Sequence, residues 1–488
     1  MGVRWHFQTF HLIVYTIKLD RAQGICIYNT REQEFRVIRL FFEHLFIGNK
    51  WVSDVGIDVN AAGDITSINT DANPTDADHR QTIGLPGLPN VHSHAFQRAM
   101  AGRAEIKANT KDSFWTWRQV MYQFLERLTP EDVSAIAALA YCEMLESGFT
   151  SVCEFHYLHH APDGKPYDDI GEMAAAVVEA AKTTGIGPTL LPVFYANSHF
   201  GGAAPSEGQR RFVTNLDQFS ELVERINGLA SDLPNPFVGV APHSLRAVTP
   251  ESLDHILALN PDGPLHIHIA EQIKEVEDCL VWSGQRPVDW LLDHHDVNAR
   301  WCLIHATHMT PSEYQRLAES HAVAGLCPIT EANLGDGLFS AAEHLQAHGR
   351  IAIGSDSNVL ISATEELRLL EYGQRLHNRG RNLLAGDQTS TGQSVYSQAL
   401  RGGAQAAGRK IGKLAVGFRA DIVSLDADHP ALCSLDRDSW LDGWIFAANS
   451  PAIADVWVGG KLVVKDGRHL KRQEIRKRYA KSMERLLS

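Results

Sequence analysis

The chain has 488 residues, 44% of them hydrophobic and 21% charged, which is room for one large catalytic domain and a smaller one in a soluble globular protein. A formal net charge of −13 and a sequence pI near 6.0 argue against a general nucleic-acid or anionic-membrane surface and still allow a local basic pocket. The seven cysteines (26, 142, 153, 279, 302, 327 and 433) form no CxxC pair, which suggests a reducing, cytoplasmic compartment over a disulfide framework, and no run reaches the ~18 apolar residues of a membrane span.

Residues 1–40 read as an extension outside the main fold. The apolar run at 10–17 is short, has no clear cleavage site and is followed by Lys18, so it supports a signal peptide poorly. Residues 41–82 show short strands and turns, with a hairpin at 46–51 and strands near 55–59 and 65–68. The far end, 411–488, is similar: a strand at 420–425, then two strands flanking Gly459-Gly460, whose glycines suit the positive φ angles of a tight turn. One small β-sandwich domain built from both chain ends accounts for this. The tail at 468–485 reads as a mixed-charge, solvated helix.

Between the two ends, across 83–410, strands and helices alternate. Short apolar runs at 83–92, 150–155, 189–194, 237–242, 265–269, 302–306, 322–327 and 351–354 read as strands buried on both faces. Thr129-Pro130, Thr249-Pro250 and Thr310-Pro311 each place a capping hydroxyl before a proline at the first helical position. Eight such units predict a TIM-like (β/α)8 barrel, whose active site forms where the strands end.

The strand ends carry the chemistry. Alternate residues of a strand share a face, so His92 and His94 point the same way and can grip one divalent metal. The fifth strand holds His266 and His268, the sixth ends at His305 and the eighth at Asp356. His92, His94, His268 and Asp356 can surround one metal and leave a position for water. His266 shares a face with His268, which suggests a supporting role behind the ligands. The fourth strand offers no lysine or glutamate to bridge a second metal, so one metal per chain is expected. Glu271, three residues beyond His268, can face substrate as a general acid–base. Arg246, after the fourth strand, and Arg118, in the loop after the first, can offer planar cations to a ligand, and the adjacent Arg210 and Arg211 are weaker candidates.

This ligand pattern resembles the amidohydrolase superfamily. GKLAVG at 412–417 and ADIV at 420–423 are similar to the segment with which many members re-enter their small β domain. Longer stretches look like the formimidoylglutamate deiminases: NVHSHAFQRAMAG at 90–102, SFWTWR at 113–118, EFHY at 154–157, HSLRAVTP at 243–250 and TEANLGDG at 330–337. The resemblance covers residues 41–485. It implies that His92, His94, His268 and Asp356 hold one zinc ion. Glu271, His305 and Asp356 would then be catalytic, and Gln97, Arg118, Tyr157, His243 and Arg246 would shape the substrate pocket. The implied reaction is zinc-dependent hydrolysis of N-formimino-L-glutamate to N-formyl-L-glutamate and ammonia, in histidine degradation, by a homodimer that binds neither nucleic acid nor membrane. Asn358 departs from the pattern, because relatives often carry histidine there. Two other readings stay open: a mononuclear zinc deaminase of a purine or pterin-like ring, and a metal-binding scaffold without catalysis.

Overall fold

The structure, a computed structural model, describes residues 37–105 and 114–488, leaving aside the side chains of 114–116. The run at 10–17 and most of the expected N-terminal extension lie outside the described residues. Residues 38–40 of that extension already belong to a strand, β1 (Ile38–Ile47). It turns through Gly48 and Asn49, with φ of +56° and +66°, into β2 (Lys50–Val59), the hairpin expected at 46–51. β3 (Ile65–Asn69) pairs with β2, and β4 (His79–Pro86) runs parallel to β1 on its other side.

The apolar run at 83–92 is therefore two strands. It divides at Gly87, between β4 in the small sheet and β5 (Leu88–Ser93) in the barrel. A Cβ on Gly87 would stand 2.2 Å from the Thr150 side chain, so the crossing is made where the chain carries none.

Parallel strands follow: β6 (Phe149–His156), β7 (Gly187–Phe194), β8 (Phe237–Val238), β9 (Ala241–Pro242), β10 (Leu265–Ile269), β11 (Trp301–His305), β12 (Val323–Leu326) and β13 (Arg350–Ile353). They form two arcs, β5 to β8/β9 and β10 to β13. Parallel bridges at Val240–Leu265 and Ser244–His268 join the arcs on one side, and Ser93–Asp356 joins them on the other. The result is a parallel α/β barrel of the TIM type with eight staves. The fourth is broken between β8 and β9, where a Cβ on Gly239 would meet the Pro264 carbonyl oxygen at 2.4 Å. Helices start at Pro130, Pro250 and Pro311, each capped by the preceding threonine as expected.

The chain then returns to the small sheet with β14 (Ile422–Leu425), β15 (Ile453–Val458), β16 (Lys461–Lys465) and β17 (Arg468–His469). The order β17-β16-β15-β14-β4-β1-β2-β3 is one hydrogen-bonded sheet drawn from both ends of the chain. Its pleat serves two cores: Ile422 and Trp457 join Leu40, Phe42 and Ile57 in a separate apolar cluster, while Val423, Leu425 and Val456 join the barrel core. The tail helix, Arg472–Leu487, is not simply solvated. Ile475, Met483 and Leu486 fall on one face at helical spacing and are buried where it packs on the Pro130–Ser147 helix, with Arg472 paired to Glu146 and Arg485 to Asp132. No described helix is long and apolar enough to cross a membrane.

Candidate active site

The strand ends bring the four expected ligand side chains to one point. The Nε2 atoms of His92 and His268 are 2.9 Å apart, and Asp356 Oδ1 is 3.5 Å from His92 Nε2 and 3.4 Å from His94 Nε2. Second partners fix two of the rings. His94 Nδ1–H donates to the Phe155 carbonyl at 3.0 Å and His268 Nδ1–H to the His243 carbonyl at 3.0 Å, which leaves each Nε2 with a lone pair aimed at the cluster. Burial pushes all three imidazoles below their usual pKa, His92 to about 3, and so keeps them neutral as ligation requires. Burial alone would raise Asp356, but the hydrogen bond from His92 and the positive charge of His305 outweigh it and hold its carboxyl well below the usual range. The described residues form two overlapping buried groups close enough to hold a cation, His92–His94–Asp356 and His92–His268–His305, and three neutral nitrogens with a carboxylate fit a divalent ion such as zinc.

Asn358 fits its position. Its φ of +56° suits asparagine, and its Nδ2 donates to Ser93 Oγ (3.2 Å) and the His94 carbonyl (3.1 Å) while its Oδ1 accepts from Ser355 Oγ (2.7 Å). Asn90 donates to Ser355 Oγ at 2.7 Å, so the ends of β5 and β13 are clamped behind the ligands.

Glu271 and His305 stand beside the cluster. His305 Nε2 is 3.8 Å from Glu271 Oε1 and 3.8 Å from Asp356 Oδ2. Burial raises the Glu271 pKa to about 7, against the opposing charges of His305 and Arg246, and so places it near neutrality. His305 moves the other way: burial lowers it, but the charges of Glu271 and Asp356 and the Glu331 hydrogen bond carry it up to about 10.

One cavity joins these groups to all five expected substrate residues, Gln97, Arg118, Tyr157, His243 and Arg246. Gln97 Nε2 donates to Tyr157 Oη at 2.7 Å, and the Tyr157 ring stands edge-on to His94. Arg246 is buried with its Nε 3.8 Å from Glu275 Oε1, and the Arg118 guanidinium lies 5.7 Å from the Tyr122 ring centroid. The cavity is thus polarised: its lining carries carboxylates and imidazoles from the strand ends together with the guanidinium groups of Arg118 and Arg246. A larger groove elsewhere, between the small sheet and the Ala363–Asn378 and Thr391–Ala407 helices, holds none of these residues.

The Amidohydrolase family sequence model matches residues 83–463. The chain belongs to the amidohydrolase family. It is an enzyme, a hydrolase of C–N bonds. It is 50% identical to a formimidoylglutamate deiminase of Pseudomonas aeruginosa over 88% of this chain and 95% of that protein. An 8-oxoguanine deaminase of the same organism is 29% identical over 72% of this chain and 76% of its own length. Among solved structures, an amidohydrolase from Brucella melitensis superposes with a TM-score of 0.89 at 50% identity, over 92% of this chain and all of that one. A zinc-bound adenosine deaminase from Xanthomonas campestris shares the fold, with a TM-score of 0.76 at 22% identity over 92% and 98% of the two chains.

Some residues of this amidohydrolase lie elsewhere than the sequence suggested. His266 does not support the ligands: its Nε2 bonds the Ala406 carbonyl at 2.8 Å, deep in the barrel. Arg211 is buried as a structural tie to the His160, Leu125 and Leu128 carbonyls, and Arg210 bonds the Pro162 carbonyl. Sequence reasoning missed Glu275, Glu331 and Tyr195. The first two read as ordinary first-turn helix acids; Tyr195, whose ring lies 4.6 Å from His243, followed a strand with no polar signal.

Proposed function

We propose that this enzyme hydrolyses N-formimino-L-glutamate to N-formyl-L-glutamate and ammonia, with one zinc ion held by His92, His94, His268 and Asp356. The polarised cavity carries the reading. The substrate has an amidine-like head, cationic near neutral pH, and two carboxylates, and the cavity opposes acidic groups at the ligand end with Arg118 and Arg246. The named activity of the Pseudomonas aeruginosa relative supports it, as does the zinc in the Xanthomonas campestris structure.

Zinc, when bound, supplies Lewis acidity and makes hydroxide available near neutral pH. The chain's residues do the rest. Asp356 and His305 orient the attacking water and Asp356 takes its proton, while Arg118, Arg246, Tyr157, Gln97 and His243 hold the dicarboxylate end. Attack on the formimino carbon gives a tetrahedral centre. Glu271 passes a proton to the terminal nitrogen, the C–N bond breaks, and ammonia leaves with the formyl oxygen retained on the product. A carboxyl group with a pKa of about 7 can both accept and donate at that pH.

The same reading includes a barrel running from Gly87 to about residue 410, a small β-sandwich domain from 38–86 and 411–488, and a cytoplasmic homodimer acting in histidine breakdown. A purine-like ring would use the aromatic lining but bring no carboxylate to Arg118 or Arg246. Identification of the products from zinc-loaded protein given N-formimino-L-glutamate tests the assignment.

A further inference from the structure

His305 is held in an unusual way. It ends β11 with φ of +69°, and Ala306 follows at +47°, two consecutive left-handed residues without a glycine. The strained backbone sets the ring into the cavity wall, 1% exposed and stacked on His268 with centroids 5.5 Å apart and planes 11° from parallel. Stacking fixes the plane of an imidazole but not which nitrogen leads, since a half-turn of the ring stays in the same plane. A directional partner has to make that choice.

Glu331 is that partner. Its Oε1 lies 3.3 Å from His305 Nδ1, and no other hydrogen bond to that nitrogen occurs among the described residues. The carboxylate is itself anchored. Oε1 accepts the Cys327 N–H at 2.9 Å, and the Glu331 N–H donates to the Cys327 carbonyl at 2.9 Å, at the start of the Pro328–Leu334 helix after β12. Glu331 is 5% exposed.

We propose that Glu331 is the positioning residue for His305: it accepts the Nδ1–H and thereby presents Nε2 to Glu271, Asp356 and the substrate. This rests on the reading of His305 as a catalytic group. It does not depend on whether Nε2 carries a proton, because Nδ1 donates in either state. A carboxylate serving only the turn would need Cys327 alone, yet this one sits between the turn and the imidazole.

The test uses full-length, zinc-loaded protein labelled with ¹⁵N-histidine, with His305 assigned by loss of its signals in His305→Gln. The wild type is expected to show Nδ1 protonated. Glu331→Ala should disturb that ring signal and lower kcat on N-formimino-L-glutamate by about 10- to 100-fold, the usual effect of removing such a partner, with KM and zinc content unchanged. Glu331→Gln keeps an acceptor oxygen and should recover most of both. A wild-type His305 without a proton on Nδ1 overturns the proposal, even if Glu331→Ala fails to fold. So does Glu331→Ala with the wild-type ring signal, or Glu331→Gln as impaired as Glu331→Ala. If wild-type protein does not turn over N-formimino-L-glutamate, the substrate assignment fails, and the ring measurement still decides the role of Glu331.

Discussion

The Nε2 atoms of His92 and His268 approach to 2.9 Å across the mouth of the barrel, and the Nδ1–H of His268 is already given to the His243 carbonyl. A lone pair of His268 therefore faces His92, with Asp356 and His94 closing the same space. The proposed cation accounts for that convergence. Elemental analysis should find one divalent ion per chain. His94→Ala or Asp356→Asn should lose it, and chelation should lower the Tm as well as abolish turnover, because an ion bound only by the folded state stabilises it. Two ions per active chain, or full activity after complete chelation, would contradict this.

Glu271→Gln removes a proton carrier and no ligand. Zinc content and KM should stay near wild type while kcat falls by ~10² to 10⁴-fold, the usual worth of general acid–base catalysis. A folded, zinc-loaded variant releasing ammonia at the normal rate would remove Glu271 from the chemistry.

Arg246 is paired with Glu275, whose other oxygen accepts the Glu271 N–H at 3.2 Å, so one buried carboxylate braces both ends of the cavity. Arg246→Met should cost about 2–5 kcal/mol in kcat/KM for N-formimino-L-glutamate, part of it from a substrate carboxylate left unpaired. A formimino compound lacking the carboxylates should start poor and lose little more. Equal losses on both substrates would make Arg246 a structural residue.

Asn358→Ala strips donors from Ser93 Oγ and the His94 carbonyl and an acceptor from Ser355. Burial makes each unsatisfied group cost about 1–3 kcal/mol, so urea unfolding should show a loss in that range or above. Zinc affinity should fall with it, since the clamp holds the β5 end that carries two ligands. Unchanged stability would show that water replaces the asparagine without cost.

Much of this was legible in the sequence, for identifiable reasons. His92, Asp356 and the other side chains of the strand-end cluster announce themselves because a parallel barrel exposes only strand ends, and an apolar run that stops at a histidine marks one. Thr249 and Thr310 mark helix starts for the same local reason. Glu275 and Glu331 could not be found in that way. Their partners, Arg246 and His305, are 29 and 26 residues away, and the contacts exist only once neighbouring strands lie side by side. The division at Gly87 was hidden because both strands are apolar and nothing but a missing side chain separates them.

The products decide what the polarised cavity acts on. Incubating zinc-loaded protein with N-formimino-L-glutamate and following both products over time tests the substrate assignment most directly. The account predicts ammonia and N-formyl-L-glutamate in equal amounts, with N-formimino-L-glutamate consumed at the same rate. Ammonia released instead from a purine or pterin, with N-formimino-L-glutamate recovered intact, would contradict it.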